Sequence, residues 1–389
     1  MSVSPKIRVL FYVQHLLGIG HLARASRIAR ALVGKDFDVT MVTGGMPVPG
    51  FPGPDLKNIA LPAIATGDSG FSGLVDASGN IVDDAFKAER RDKLIAAFRK
   101  IQPDIVIIEA FPFGRRQVRF ELLPLLDEIA AMERKPLVAC SLRDIVQARN
   151  KPGRDDESVA LVDRYFDHVL VHGDPGFARL EDSFPLFDMI ADKVLYTGLV
   201  AAPAPPPATE TFDIVVSAGG GAVGINLIRA AAESARHLPK SLNWCIVTGP
   251  NLPQADFDAL ALDAPANTNL FRFRPDFPSL LTRARLSISQ AGYNTVCDIL
   301  RAGCQSLLIP FTAGGETEQT ERAARLEERG RAFVLTEAAL SPVTMQAAIE
   351  KALSSAVTNL QALDLDGANR TADILRALSA TALDKPQRV

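Results

Sequence analysis

Residues 286–310 read LSISQAGYNTVCDILRAGCQSLLIP. A strand-like run at 286–290 passes through a glycine turn into helical spacing over 295–302, and a buried-strand run, SLLI, follows at 306–309. Strand, crossover helix and strand in so short a span is the unit of a parallel sheet. The same rhythm extends in both directions. In the second half, strands are expected at 213–217, 244–248, 270–273 and 332–335, with helices over 224–237, 277–283 and 319–328. In the first half, strands are expected at 7–14, 39–43, 105–109, 137–141 and 169–172, with helices over 23–33, 85–101 and 120–133. Continuous apolar strands alternating with helices imply parallel sheets covered on both faces. The expected fold class is α/β, doubly wound.

The rhythm breaks once, at residues 199–211, LVAAPAPPPATET. Pro203, Pro205, Pro206 and Pro207 cannot donate ladder hydrogen bonds and favour extended geometry, so the stretch reads as a stiff spacer. The expected domains are 1–200, a linker at 201–211, and 212–389, with the last helix free to pack back on the first domain. Ligands in such sheets bind outside the carboxyl ends of the strands, which places the expected site in a cleft between two domains. Residues 44–84 are rich in Gly and Pro with little periodicity, the mark of a functional or mobile loop.

Composition excludes several function classes. A chain of 389 residues that is 47% hydrophobic and 22% charged is long enough for two cored domains and too apolar for wholesale disorder. Its 42 basic and 45 acidic residues give −3 with no long like-charge block, so nucleic acid is not an expected partner. The four cysteines form no C-x-x-C pair, which suits a reducing cytoplasm and argues against structural zinc. The N-terminal apolar run is interrupted by Gln14 and His15 and reads as a first buried strand, not a signal peptide. No 18-residue apolar run spans a membrane, although a surface-associated role stays open.

Four motifs carry chemistry. Gly18-Ile19-Gly20-His21 lies between the first strand and first helix, where glycines permit close backbone approach and the helix start offers free N–H groups. It lacks the acidic residue of a dinucleotide fingerprint near the second strand's end, which makes NAD a weak reading. The positive end of the helix keeps the His21 imidazole neutral, fit for a general base; a cap or a phosphate contact is the competing role. Ser217-Ala218-Gly219-Gly220-Gly221-Ala222 forms a backbone cradle suited to a pyrophosphate, or else a plain tight turn. In the turn of the opening stretch, Gly292 allows close approach, Tyr293, Asn294 and Thr295 start a helix, and Asp298 stands where it can accept from ribose hydroxyls or simply complement the helix dipole. Finally, Glu318 and Gln319 offer a carboxylate and an amide at a helix start, suited to sugar hydroxyls, with a plain N-terminal charge as the alternative for Glu318.

In this order and spacing the last three motifs resemble the C-terminal domain of family 28 glycosyltransferases, most clearly over residues 271–333 and more loosely at Gly219, Gly220, Gly221 and Gly249. Gly20 and His21 are similar to that family's N-terminal glycine-rich loop. The resemblance implies the GT-B fold, two Rossmann-like domains with the donor held mainly by the second. It implies that Arg274 contacts the base largely through backbone and that Asp298 holds the ribose. Gly292, Asn294 and Thr295 would hold the diphosphate, and Glu318 and Gln319 would face the donor sugar. Asp298 departs from the family's usual Glu, and the first half of the chain matches poorly.

The expected activity is transfer of a sugar from a nucleoside diphosphate sugar, UDP in the family's pattern, to a hydroxyl acceptor. The resemblance adds inversion, independence of metal, no cofactor, and a role in carbohydrate or cell-envelope biosynthesis. His21 is the first candidate for the base, then Glu109 and Asp144, which follow predicted strands. Arg115 and Arg116, in the run Phe111-Pro112-Phe113-Gly114-Arg115-Arg116, are expected to help bind a phosphate-bearing or lipid-linked acceptor, or to start a solvated helix. The expected location is cytoplasmic, with peripheral contact at the inner face of the membrane left open. Two other classes remain at this stage: a nucleotide-sugar hydrolase in which His21 activates water, and a non-catalytic nucleotide-sugar sensor.

Overall fold

The computed structural model describes residues 5–16, 18–67, 73–149, 151–219, 224–249, 251–355 and 362–383. Its contacts divide the chain into two units: residues up to Val200 together with those from Asp364 onward, and residues Ala201–Leu363.

In the first unit the strands are β1 (Arg8–Val13), β2 (Asp38–Thr43), β3 (Lys57–Ala60), β4 (Ile64–Thr66) and β5 (Leu74–Asp76). They continue with β6 (Ile105–Glu109), β7 (Leu137–Arg143), β8 (His168–His172) and β9 (Val194–Tyr196). Seven of these make one parallel sheet in the order β3-β2-β1-β6-β7-β8-β9, while β4 and β5 pair as a separate antiparallel hairpin. Helices α1 (Gly20–Gly34), α2 (Asp84–Ile101), α3 (Arg119–Ala130) and α4 (Arg154–Tyr165) cover its faces. Successive strand residues face opposite ways, and the core divides accordingly. Leu10, Tyr12, Val106, Ile108, Val138 and Cys140 pack with Leu94, Phe98, Leu122 and Val162 of α2, α3 and α4. Val9, Phe11, Val13, Ile105, Ile107 and Ala139 pack with Leu22, Ala25, Ile28 and Leu32 of α1.

The chain's last helix, Gly367–Leu383, adds Ala372 and Leu375 to the α1 side, and Lys35 pairs with Asp373 there. The second unit therefore ends at Leu363 and not at residue 389, because the apolar face of this helix finds its partner on α1. The 44–84 stretch, expected as an aperiodic loop, contains β3 and the β4–β5 hairpin.

The second unit holds β10 (Ile214–Ser217), β11 (Trp244–Val247), β12 (Thr268–Phe271), β13 (Leu286–Ser289), β14 (Ser306–Leu308) and β15 (Phe333–Val334). They form a parallel sheet in the order β12-β11-β10-β13-β14-β15. Its helices are α5 (Ile225–His237), α6 (Gln254–Leu262), α7 (Phe277–Leu281), α8 (Tyr293–Ala302), α9 (Glu318–Glu328) and α10 (Pro342–Ser354). Ile214, Val216, Trp244, Ile246 and Ile288 pack against Leu227, Ile228 and Ala231 of α5 and Met345 and Ile349 of α10. The proline-rich stretch runs along this unit: Arg301 Nε donates to the Ala202 carbonyl at 3.1 Å, and Glu210 pairs with Arg274. It is a packed strap of the second unit, not a free-standing spacer.

Candidate active site

On the α1 side of the first sheet the alternating positions are apolar until the last turn of the pleat. Ile105 and Ile107 lead to Glu109, Ala139 leads to Ser141, and Leu170 leads to His172. Thr197 follows the end of β9 in the next row. Four adjacent strand ends thus carry a row of polar side chains, all of them buried.

Above this row stands the start of α1, which has no side-chain cap and no acidic residue in its first turn. His21 and Arg24, three residues apart, share the helix face that meets Glu109. His21 Nδ1 lies 2.9 Å from Glu109 Oε1, and an Arg24 Nη donates to the same oxygen. Ser141 Oγ donates to Glu109 Oε2. Despite burial, the Arg24 charge and the bonds from His21 and Ser141 hold the Glu109 carboxyl down to about 2. An ionised carboxylate only accepts, so Nδ1 must be the protonated nitrogen of His21. The lone pair is then on Nε2. Burial, followed by the Arg115 charge, lowers His21 to about 3, so the ring is neutral across the physiological range. Its side chain keeps 15% of its surface exposed.

Of the candidate bases, the structure joins Glu109 to His21 as its orienting partner. Asp144 is buried past the end of β7, where its Oδ1 accepts the Ile145 N–H at 3.0 Å. The two arginines expected to act together also separate. Arg115 Nε donates to the Gln14 carbonyl at 2.8 Å, and burial together with the nearby Arg143 charge lowers it to about 10. Arg116 instead pairs with Glu157, which Arg119 also contacts at 2.8 Å. Sequence reasoning missed Arg24, Ser141, His172 and Thr197. The spacing of His21 and Arg24, and the polar residue closing each apolar alternation, were the available signals.

In the second unit Ser217 and Ser289 are register partners at the carboxyl ends of β10 and β13. Gly219 follows with φ 69°, its N–H donating to Ser217 Oγ at 3.2 Å. It faces Gln290, whose Oε1 lies 3.8 Å from where a Cβ would sit. The loop after β10 and the turn after β13 are therefore neighbours, as a shared phosphate cradle requires. Gly220 and Gly221 lie outside the described residues. Gly249, just past β11, has φ 89°.

Gly292 caps α8 in extended backbone, and among the described residues no atom lies within 4 Å of where its Cβ would point. Nothing among the described residues demands glycine there; open space beside a helix start is what an approaching anion needs. Asn294, Thr295 and Asp298 are half-buried along the first turns of α8, and Tyr293 is buried with Arg322 over its ring at 5.6 Å.

Three expected donor contacts are committed inside the protein. The Glu318 carboxylate is buried and accepts from Arg322 at 2.6 Å, while Arg322 donates to the Ala291 carbonyl at 3.0 Å. Gln319 Oε1 accepts the Phe311 N–H at 3.2 Å. Both side chains thus brace the loops around the turn, each through its Oε1. Arg274 is clasped by Asp276 and Glu210, which raise its pKa, and lies over Phe271. Its guanidinium is thus held by partners within the second unit.

His172, like His21, is lowered to about 3, chiefly by burial. The unfolded chain takes up protons below about pH 6.5 that these folded histidines refuse, so stability falls as pH drops from there, by about 1.4 kcal/mol per pH unit for each ring. The thermal midpoint should therefore decline between pH 7 and pH 5, and less steeply in His172→Gln. Equal declines in the two proteins would contradict the burial of a neutral His172.

Among the described residues no group of three or more His, Cys, Asp or Glu side chains gathers as metal ligands would, and no helix is long and apolar enough to cross a membrane. Residues 214–376 match the glycosyltransferase family 28 C-terminal domain. An Exiguobacterium UDP-N-acetylglucosamine–N-acetylmuramyl-(pentapeptide) pyrophosphoryl-undecaprenol N-acetylglucosamine transferase is 37% identical over 145 residues, 36% of this chain and 39% of that one. The chain thus spans about two-fifths of that relative's length. The enzyme of the same description from Phenylobacterium zucineum is 24% identical over 356 residues, 86% of this chain and 87% of that one. The calicheamicin glycosyltransferase CalG4 superposes with a TM-score of 0.65 at 16% identity, covering 98% of this chain and 100% of that one. Both units are Rossmann-like, and the fold is GT-B.

Proposed function

We propose that this protein transfers a sugar from a UDP-sugar to a hydroxyl acceptor. The observation that carries the reading is His21, whose Nδ1–H is held by an ionised Glu109 while Nε2 keeps its lone pair. In the step proposed, Nε2 removes the acceptor hydroxyl proton as that oxygen attacks the anomeric carbon. The bond from that carbon to the β-phosphate oxygen breaks with inversion, and UDP departs with the electron pair. Backbone N–H groups at the start of α8, beside the Gly219 loop, neutralise the growing charge on the diphosphate, and no metal or cofactor is part of the scheme. The match over residues 214–376 supports UDP as the nucleotide carrier, as do the relatives described as UDP-N-acetylglucosamine transferases.

For the acceptor, the Arg143 charge helps lower Arg115, and the Arg115 charge bears in turn on His21, a setting that favours an anionic group. This supports a phosphate-bearing acceptor, lipid-linked as in the relatives' description, reached at the cytoplasmic face of a membrane.

A thermal-shift panel of nucleotides and nucleotide sugars tests the donor half, since a ligand that binds only the folded form raises the midpoint. UDP and UDP-sugars should stand out. Gly292→Ala should cost at most about 1 kcal/mol of stability yet weaken UDP binding by about 10-fold or more, roughly 1.4 kcal/mol. Unchanged UDP affinity in that variant would move the phosphate elsewhere. Stoichiometric free sugar from donor alone, with no acceptor product in any mixture, would replace transfer by hydrolysis.

A further inference from the structure

The polar row beneath α1 extends beyond Glu109. Ser141 Oγ lies 2.9 Å from His172 Nε2, and His172 Nδ1 lies 2.9 Å from Thr197 Oγ1. All four side chains are buried, with His172 and Thr197 fully so.

The directions of these bonds follow from charge. Glu109 can only accept, so the single hydroxyl proton of Ser141 points to Oε2. The Ser141 oxygen is then an acceptor, and His172 must carry its proton on Nε2. His172 Nδ1, in turn, carries a lone pair and accepts from Thr197, whose hydroxyl also has the Gly198 and Val171 carbonyls at 3.0 and 3.3 Å. The opposite tautomer would set the Nε2 lone pair against the Ser141 oxygen, or draw the Ser141 proton away from Glu109. The order is Thr197 to His172 to Ser141 to Glu109, meeting His21 at the other carboxylate oxygen.

We propose that His172 is a positioning residue for His21. Acting through Ser141, it pins Glu109 Oε2 so that Oε1 stays aligned on His21 Nδ1–H and the Nε2 lone pair is presented to the acceptor. The terminal torsion of a glutamate is broad and has no strong intrinsic preference. Arg24 and His21 both bear on Oε1, so Ser141 is the described contact that fixes the second oxygen. This inference rests on His21 as the base of the proposed transfer; the arrangement itself stands independently of any substrate.

The test uses the full chain with 15N-labelled histidine and steady-state kinetics. Ser141→Ala and His172→Leu, two and three hydrogen bonds removed from the His21 ring, should lower kcat by roughly 10–100-fold, the range for outer partners that orient a ligating histidine, with KM for the UDP-sugar unchanged. In both, the His21 imidazole should pass from one tautomer, protonated at Nδ1, to a mixture of two. His172→Gln keeps a donor nitrogen in the place of Nε2 and should restore most of kcat and the single tautomer. Thr197→Val, close to isosteric, covers the case in which His172→Leu does not fold, and should shift the tautomer in the same direction.

Equal losses of kcat in the Gln and Leu variants would overturn the proposal. So would a His21 tautomer that stays single in His172→Leu or Thr197→Val. If the wild type transferred no sugar, the functional reading would fail alone, because the tautomer measurement needs no substrate.

Discussion

Replacing His21 by alanine should lower kcat by roughly 10²–10⁴-fold, the range for a positioned general base, while UDP binding stays at the wild-type level. The split follows from where the two functions reside. Phosphate recognition is assigned to Gly219 and the Gly292 turn in the second unit, whereas His21 starts a helix of the first. Loss of the ring leaves Glu109 with Arg24 and Ser141 as donors, so the carboxylate remains paired and the unit stays folded. The variant should therefore give a clean deficit in turnover, read by initial rates with donor and acceptor saturating and by UDP affinity measured separately. Near-normal kcat would remove His21 from the chemistry. A fall in UDP affinity as large as the fall in kcat would make it a binding residue.

A base lowered to about 3 is weak, and the causes show how binding can change that. Burial is the largest and cannot be relieved. The Arg115 charge comes second, and an anionic group on the acceptor beside it would cancel that field, raising His21 toward the working pH where a base is most effective. The same cancellation makes a phosphate-bearing acceptor more than a docking preference: its charge would prepare the residue that deprotonates it.

Much of this was legible because it is periodic or punctuated. The strand–turn–helix–strand pattern at 286–310 appears as β13, α8 and β14, with the glycine turn between them. The first helix begins at Gly20, three residues earlier than its apolar spacing suggests, since His21 sits on a face whose partners are polar. Helix α6 gave no sequence signal for a physical reason: none of its residues is buried, so it has no apolar stripe to read. The return of the last helix to the first unit was left open by the sequence, because helical periodicity reveals that a face is apolar and says nothing about which sheet receives it. The site followed the same division. Glycines and His21 announce themselves by their position after strands. Glu318 and Gln319, by contrast, carry suitable chemistry at a suitable place and also hold Arg322 and the Phe311 amide. Side-chain type cannot distinguish a sugar contact from a loop brace when both need the same carboxylate or amide.

The largest effect on stability is expected at a buried pair that takes no part in the proposed chemistry. Arg90 and Glu121 are fully buried and joined by two bonds, at 2.6 and 2.8 Å, and Tyr12 donates to the same carboxylate at 2.5 Å. Burial and the Glu121 charge raise the Tyr12 pKa well above its ordinary value, so the phenol remains a donor. Arg90 also donates to the Gly44 carbonyl at 3.0 Å, to the Pro62 carbonyl and to Gln14 Oε1, tying the 44–84 stretch to α2. Arg90→Met would strand a buried carboxylate and leave two carbonyls without this donor, a loss of about 3–5 kcal/mol against a total of roughly 5–15 kcal/mol. For a unit of this size the midpoint should fall by roughly 6–20 °C. The triple replacement Arg90→Met, Glu121→Leu and Tyr12→Phe removes the stranded charge and should recover part of the loss, because well-packed apolar side chains can stand in for a buried ion pair. It cannot recover the Gly44 and Pro62 bonds, at about 1 kcal/mol each. Full recovery would show that the pair matters only as charge compensation; no recovery would show that its bonds to the 44–84 backbone dominate.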